Sequence, residues 1–316
     1  MPFVDIPGIK IHYEEAGSGK KVLLLIHGNF ASSRWWQKIM DILPAGYHAY
    51  APDLRGCGQS DHPAEGHNIE QLAFDLYEFV LSLNLKELHL VGHSLGGAVA
   101  MQLALDHPEL VMDLLLVDSA PAEGMPAIRK STEHSSWLLE IIELFNPKNI
   151  ILKLSSDTLG TAYQTLQNFP ANKHLLRRAL AMMTPSLEHD NNAYFEELIS
   201  DAELMSSQAM AGHLASLETW NVLPRLKELH IPVMMLLGGR DILITREKTE
   251  NMLKELQNGM IVVWNDVGHS PQIEQPVRFV KLMMDFVEKN EKVKSPVNQI
   301  KNLLQKLLNI LKNNYK

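Results

Sequence analysis

The sequence holds one cysteine in 316 residues, Cys57, so neither an intramolecular disulfide nor a cysteine-built metal site can form. Long apolar runs are missing as well. The longest, such as Val22–Ile26, fall far short of the roughly 20 residues that a membrane-spanning helix needs. Met1–Glu15 has neither the basic start nor the apolar stretch of a secretory leader, and with the lone cysteine this sets the expectation of a cytoplasmic protein. Positive charge is in deficit. Against 37 acids stand 29 lysines and arginines, a net charge of −8, which argues against a nucleic-acid partner for the body of the chain. The glycine-rich stretch Asp53–Ser60 contains neither G-x-G-x-x-G nor a Walker lysine, so it does not read as a phosphate site. No internal repeat is present, and no metal or organic cofactor is implied.

What is present is an ordinary globular composition, 46% hydrophobic and 21% charged, in a chain long enough for a large domain with an insertion. Phe3–Ile6 and Ile9–Glu14 alternate around Pro7-Gly8 and read as an edge hairpin. Val22–Ile26, Tyr47–Ala51, Leu88–Val91 and Asp113–Val117 read as strands, the more continuous of them buried on both faces. Helical patterns separate them at about Ser33–Leu43, Ile69–Leu83 and Ala98–Leu105. The alternation resumes with strands at Pro232–Leu237 and Met260–Trp264 and helices at about Arg246–Gln257 and Val277–Glu288. This order predicts an α/β fold with a mostly parallel, doubly wound sheet. Between about Pro121 and Arg225 strand patterns stop and helical ones take over, a stretch too long to be a loop. The expected organisation is a core of residues 1–120 and 226–290, an inserted helical cap of residues 121–225, and a C-terminal segment of residues 291–316.

The chain is organised around Leu88–Ala100, where an apolar strand runs into Gly92-His93-Ser94-Leu95-Gly96 and then into good helix formers. G-x-S-x-G between a strand and a helix is a sharp turn that exposes a serine, and the glycines let the two elements pack closely. A serine hydroxyl attacks a carbonyl only when a base takes its proton, and a neutral imidazole suits pH 7. His269, after the last strand, is the candidate base among 14 histidines. A carboxylate must hold its tautomer. Asp241, ending the preceding strand in Gly-Gly-Arg-Asp, is the first choice, with Asp118 and Asp266 as alternatives. The oxyanion formed on attack needs backbone donors. The amide of Leu95, next to the serine, is one candidate and that of Asn29, in the loop after the first parallel strand, is the other.

His27-Gly28-Asn29, Asp53–Ser60, Gly92–Gly97, Gly238–Asp241 and Gly268-His269 follow the order and spacing of the α/β-hydrolase fold superfamily, which the chain resembles over about Phe3–Glu288 apart from the cap. The resemblance implies that fold and a Ser94, Asp241, His269 triad. Epoxide hydrolases and haloalkane dehalogenases share the layout but carry an aspartate where Ser94 stands. In pattern the chain is most similar to small carboxylesterases, lactone hydrolases, cofactor-free perhydrolases and carbon–carbon bond hydrolases. The expected function is hydrolysis of small-molecule carboxylic esters through an acyl-enzyme. The alternatives are lactone or carbon–carbon hydrolysis or perhydrolysis on the same triad, and, from another class, a non-catalytic receptor that keeps the pocket.

Phe30, Trp36 and the cap residue Trp137 are the candidate pocket lining, and with no cluster of arginines they point to uncharged, apolar substrates. The C-terminal segment carries six lysines and no acid after Glu291, and Val297, Ile300, Leu303, Leu304, Leu307, Leu308 and Leu311 recur at helical spacing. A basic amphipathic helix of this kind is expected to dock on the acidic body or on a second copy of the chain, a homodimer, with a membrane surface as the lesser alternative.

Overall fold

The computed structural model describes residues 2–125, 173–187 and 192–294. Its strands are β1 (Phe3–Ile6), β2 (Ile9–Gly17), β3 (Lys21–Ile26), β4 (Tyr47–Pro52), β5 (Leu88–His93), β6 (Val111–Val117), β7 (Val233–Gly238) and β8 (Gly259–Trp264). They form one sheet in the order β1-β2-β4-β3-β5-β6-β7-β8, antiparallel at β1–β2 and β2–β4 and parallel from there on. The edge hairpin turns where expected, with Gly8 at φ 86 between the paired Ile6 and Ile9.

Alternation along each strand sorts side chains to two faces. Leu24, Ile26, Leu90, Leu114, Leu116 and Met235 pack with helices Ile69–Ser82 and Leu95–Asp106. Leu23, Leu25, Val91, Leu115, Met234 and Leu236 pack on the other face with Phe279, Met283 and Phe286 of the closing helix. Burial on both faces is why these strands read as unbroken apolar runs.

Two helices flanking the sheet differ most from expectation. The helix expected over Ser33–Leu43 is a 3-10 turn, Ser33–Trp36, followed by a short helix, Gln37–Met40. Pro44 disfavours helical backbone at Leu43, and Trp35 and Trp36 pack into different clusters. The closing helix, Pro276–Lys294, runs past residue 290 and takes in the start of the expected tail. Asn290 donates to buried Asp113 on β6 (3.1 Å) and Glu291 pairs with Lys21 on β3 (3.0 Å), so that end is tied to the sheet.

The insertion enters after β6 and returns at β7. Its described helices Lys173–Met183 and Ala193–Ala202 bury Leu176, Leu180, Phe195, Leu198 and Ile199 against Ala31, Trp35 and Ile273 of the core. A third, Ser207–Thr219, has Ala209, Met210 and Leu217 in the cluster that holds helices Ile69–Ser82 and Leu95–Asp106. Polar ties reinforce that seam. Asp201 accepts from Ser32 Oγ (2.6 Å) and Arg34 Nε (2.8 Å), and Ser216 Oγ accepts from the Ile69 amide (2.9 Å). Asp53 is buried and organises its loop by accepting from the Ser33 and Gln59 amides (2.6 and 2.8 Å) and pairing with His12 (2.7 Å). Among the described residues, no helix is long and apolar enough to cross a membrane.

Candidate active site

Ser94 lies at φ 53, ψ −121, backbone that L-residues rarely adopt, between the end of β5 and the first turn of helix Leu95–Asp106. Three hydrogen bonds hold it there. Its amide donates to Val117 O (3.0 Å), and its carbonyl accepts from Gly97 and Ala120 (each 2.9 Å). The helix therefore begins directly after the serine, three residues earlier than the periodicity predicts. The turn has no room for side chains: a Cβ on Gly96 would lie 2.4 Å from the backbone oxygens of Ile26 and His27. A Cβ on Gly28 would lie 2.8 Å from Ser94 Cβ, which puts the loop after β3 against the serine. His27 shapes that loop. Its Nε2 accepts from the Leu54 amide (2.9 Å) and its Nδ1 donates to Gly28 O (2.8 Å).

His269 follows β8 and is buried, with Nδ1 donating to Asp241 Oδ2 at 2.7 Å. Its other ring nitrogen, Nε2, is buried and has no hydrogen-bond partner among the described residues. Asp241, after β7, accepts at Oδ1 from the amides of Leu243 (2.7 Å) and Ile244 (3.2 Å). Burial alone would raise its pKa, but the adjoining His269 and these hydrogen bonds outweigh burial and hold the carboxyl below its ordinary range. Of the alternative acids, Asp266 is exposed and paired with Arg278 (2.9 Å), while Asp118 is buried close by. Asp241 is thus the partner of His269. One oxygen of Asp118, one of Asp241 and one His269 nitrogen lie within 4.8 Å of one another, the one such cluster with metal-ligand chemistry among the described residues.

Side chains that the sequence reading passed over support the pair. The Nε2 of His93 donates to the carbonyl of His269 (2.8 Å) while its ring stacks on Trp35 (centroids 5.4 Å). Burial, and then the neighbouring His269, push its pKa down to about 3, so it stays neutral. Glu274 accepts from the Gly268 amide (2.8 Å) and from Ser186 of the insertion (amide, 2.9 Å), pinning the His269 loop from both sides. His213, on helix Ser207–Thr219, donates from Nδ1 to Asn29 Oδ1 at 2.8 Å and so links the insertion to the loop beside Ser94. Its pKa is likewise lowered to about 3, by burial first. Adjacency to Ser94 was a signal for His93. Nothing in the sequence separates His213 from a packing histidine.

The proposed pocket lining divides three ways. Phe30 is half-buried at φ 56, next to Asn29. Trp36 is not at the cleft. It is fully buried against Phe279 (centroids 6.1 Å) on the closing-helix side of the sheet, because successive residues of a tight turn point in different directions. Trp35 takes the place beside His93. Trp137 lies outside the described residues.

A strained serine turn at the head of a helix, with a His–Asp pair after two later strands of one parallel sheet, is an arrangement that open α/β sheets build at their carboxyl ends. The alpha/beta hydrolase fold profile matches residues 21–276, and the chain belongs to that family. It is 26% identical over 289 residues to the pimeloyl-[acyl-carrier protein] methyl ester esterase of Yersinia pseudotuberculosis, covering 90% of this chain and 99% of that one. Among solved structures it resembles an esterase from Exiguobacterium antarcticum (TM-score 0.71, 22% identity, 90% and 98% of the two chains). A bromoperoxidase from Bacillus anthracis superposes as well (TM-score 0.71, 19% identity, 89% and 96%). Likenesses at these identities establish the fold, which hosts several chemistries.

Proposed function

We propose that this chain is a serine hydrolase that cleaves carboxylic esters of uncharged, apolar small molecules through an acyl-enzyme. The observation that carries the reading is the strained Ser94 turn combined with a buried His269 whose Nδ1 is committed to Asp241. With Nδ1–H donated to a carboxylate, Nε2 is left as the lone-pair nitrogen, the form a general base must have. Ser94 Oγ attacks the ester carbonyl carbon and Nε2 of His269 takes its proton. Asp241 stabilises the imidazolium. Negative charge developing on the carbonyl oxygen is met by the Leu95 amide, at the positive end of its helix, and by the Asn29 amide. The imidazolium then gives its proton to the departing alcohol. Water, deprotonated by His269, attacks the acyl-serine and releases the acid.

The substrate class is supported by the arginines and the apolar seam. Arg34 is engaged by Asp201 and Glu197, and Arg55 by Asp75 at 2.7 Å from two nitrogens, so neither is offered to an anionic substrate. Phe30 packs against both the core and the insertion cluster. The named activity of the Yersinia relative, a methyl ester esterase, supports the ester-cleaving part of the reading. A panel of p-nitrophenyl esters of increasing acyl length, run beside lactones and an anionic ester, tests it. Rates should rise as the acyl chain lengthens, about fourfold in kcat/KM per added methylene until the pocket is full. Rates that fall from the acetate onward, or a preference for lactones or the anionic ester, would contradict it.

A further inference from the structure

Asp118 follows β6 at φ 38, a left-handed backbone kept by a non-glycine residue at some cost, and its side chain is buried. Its Oδ1 accepts from the Gly238 amide at 2.8 Å. Its Oδ2 is buried as well and receives no N–H or O–H among the described residues. Within 4.8 Å of this carboxyl lie an oxygen of Asp241 and a nitrogen of His269. Two carboxyls therefore lie beside one imidazole, with all three side chains buried, and their donors are unequal. Asp241 receives His269 Nδ1 and two backbone amides, while Asp118 receives one amide. A second carboxylate there would be a buried charge without a counter-charge of its own, which is unfavourable, so the less well supplied group keeps its proton.

We propose that Asp118 is a protonated positioning residue whose Oδ2–H donates to Asp241 and steadies the carboxylate that orients His269. The charged and titratable groups that face it are Asp241, Glu274 and His269. Burial, and then the charge of Asp241, push its carboxyl well above the ordinary carboxylate range. The proposal rests on the reading of Asp241 and His269 given above.

Asparagine copies a neutral acid, since its Oδ1 can accept from Gly238 and its Nδ2 can donate to Asp241. Asp118→Asn should keep kcat/KM for p-nitrophenyl acetate within about threefold of the parent, with the acid limb of its pH profile unmoved. Asp118→Ala should lower kcat by about tenfold or more, the effect of removing a hydrogen bond to a charged group, and move that limb to higher pH. If Asp118 is instead ionised, Asp118→Asn removes a negative charge beside His269 and the limb moves down, by about one unit or more, which overturns the proposal. An Asp118→Ala enzyme indistinguishable from the parent overturns it too. Should Asp118→Ala fail to fold, the infrared spectrum decides. A protonated-carboxyl C=O stretch at pH 7, lost in Asp118→Asn, is expected, and its absence from the parent refutes the proposal. That band does not depend on turnover, so it separates failure of this inference from failure of the Ser94 mechanism, which full activity in Ser94→Ala would reveal.

Discussion

At the residue scale, the proposed mechanism needs the Ser94 hydroxyl, which cannot ionise unaided, to give its proton to the imidazole of His269. Ser94→Ala and His269→Ala should each remove most turnover of p-nitrophenyl acetate, about 10³-fold or more in kcat, and the double variant should lose little further because the residues act as a unit. Near-additive losses would show that they do not work together. Asp241→Asn should cost about 10³-fold, far more than Asp118→Asn. A histidine base must be neutral to accept a proton, so the proposed mechanism expects activity to rise with pH, while His93 and His213, held down to about 3, remain uncharged. A flat profile from about pH 5 to about pH 8 would contradict a histidine base. The Ser94 turn and the His269–Asp241 pair were legible because each residue sits in a glycine-bearing turn at a strand end, a local signal. Trp36 was misplaced and Trp35 overlooked because neighbours on a tight turn diverge, and only the packed sheet decides which faces the insertion.

At the element scale, the site is a set of strand ends brought together by a parallel sheet and closed by short glycine turns. Gly28→Ala tests that crowding. Its Cβ would have to lie 2.8 Å from Ser94 Cβ, so the serine or the loop must shift, and a displacement of that order costs about 10²-fold in kcat. The expected result is a folded protein by circular dichroism with that loss. Unchanged kcat would mean that the loop is free to yield. His213→Ala breaks the 2.8 Å bond to Asn29 and should lower kcat about tenfold with little change in KM, since it loosens a donor needed most in the transition state. A rise in KM alone would assign His213 to ground-state binding. The strands were readable because burial on both faces leaves unbroken apolar runs. The 3-10 turn at Trp35 and Trp36, the extended closing helix and the His213–Asn29 link were not, since each is fixed by contacts between residues far apart in sequence.

For the whole molecule, stability should fall as the medium is acidified from neutrality. His27, His67, His93 and His213 all have lowered pKa values, with burial as the leading cause, whereas in the unfolded chain each titrates near 6.5. Below about 6.5 the unfolded chain therefore binds protons that the folded one refuses, and each such proton weakens the fold by about 1.4 kcal/mol per pH unit. Asp118 acts in the opposite sense, since its raised pKa keeps a proton that the unfolded chain loses above about 3.8, but it is one group against four. The melting temperature should thus be lower at about pH 5 than at about pH 7, and a higher one would contradict these burial assignments. Residues 295–316 lie outside the described residues, and their apolar stripe in the sequence motivates a separate expectation. Deleting them should change oligomer size or melting temperature without altering kcat. Unchanged mass and melting with lost liposome binding would favour a membrane surface instead. The central claim is that an acyl group passes through Ser94, and rapid mixing with excess p-nitrophenyl acetate followed by acid quench and peptide mapping tests it most directly. The account predicts a nitrophenol burst of about one equivalent, with acetyl on the Ser94 peptide, and neither in Ser94→Ala. Steady turnover in the parent with no burst and no acetyl on that peptide, or turnover that survives in Ser94→Ala, would contradict it.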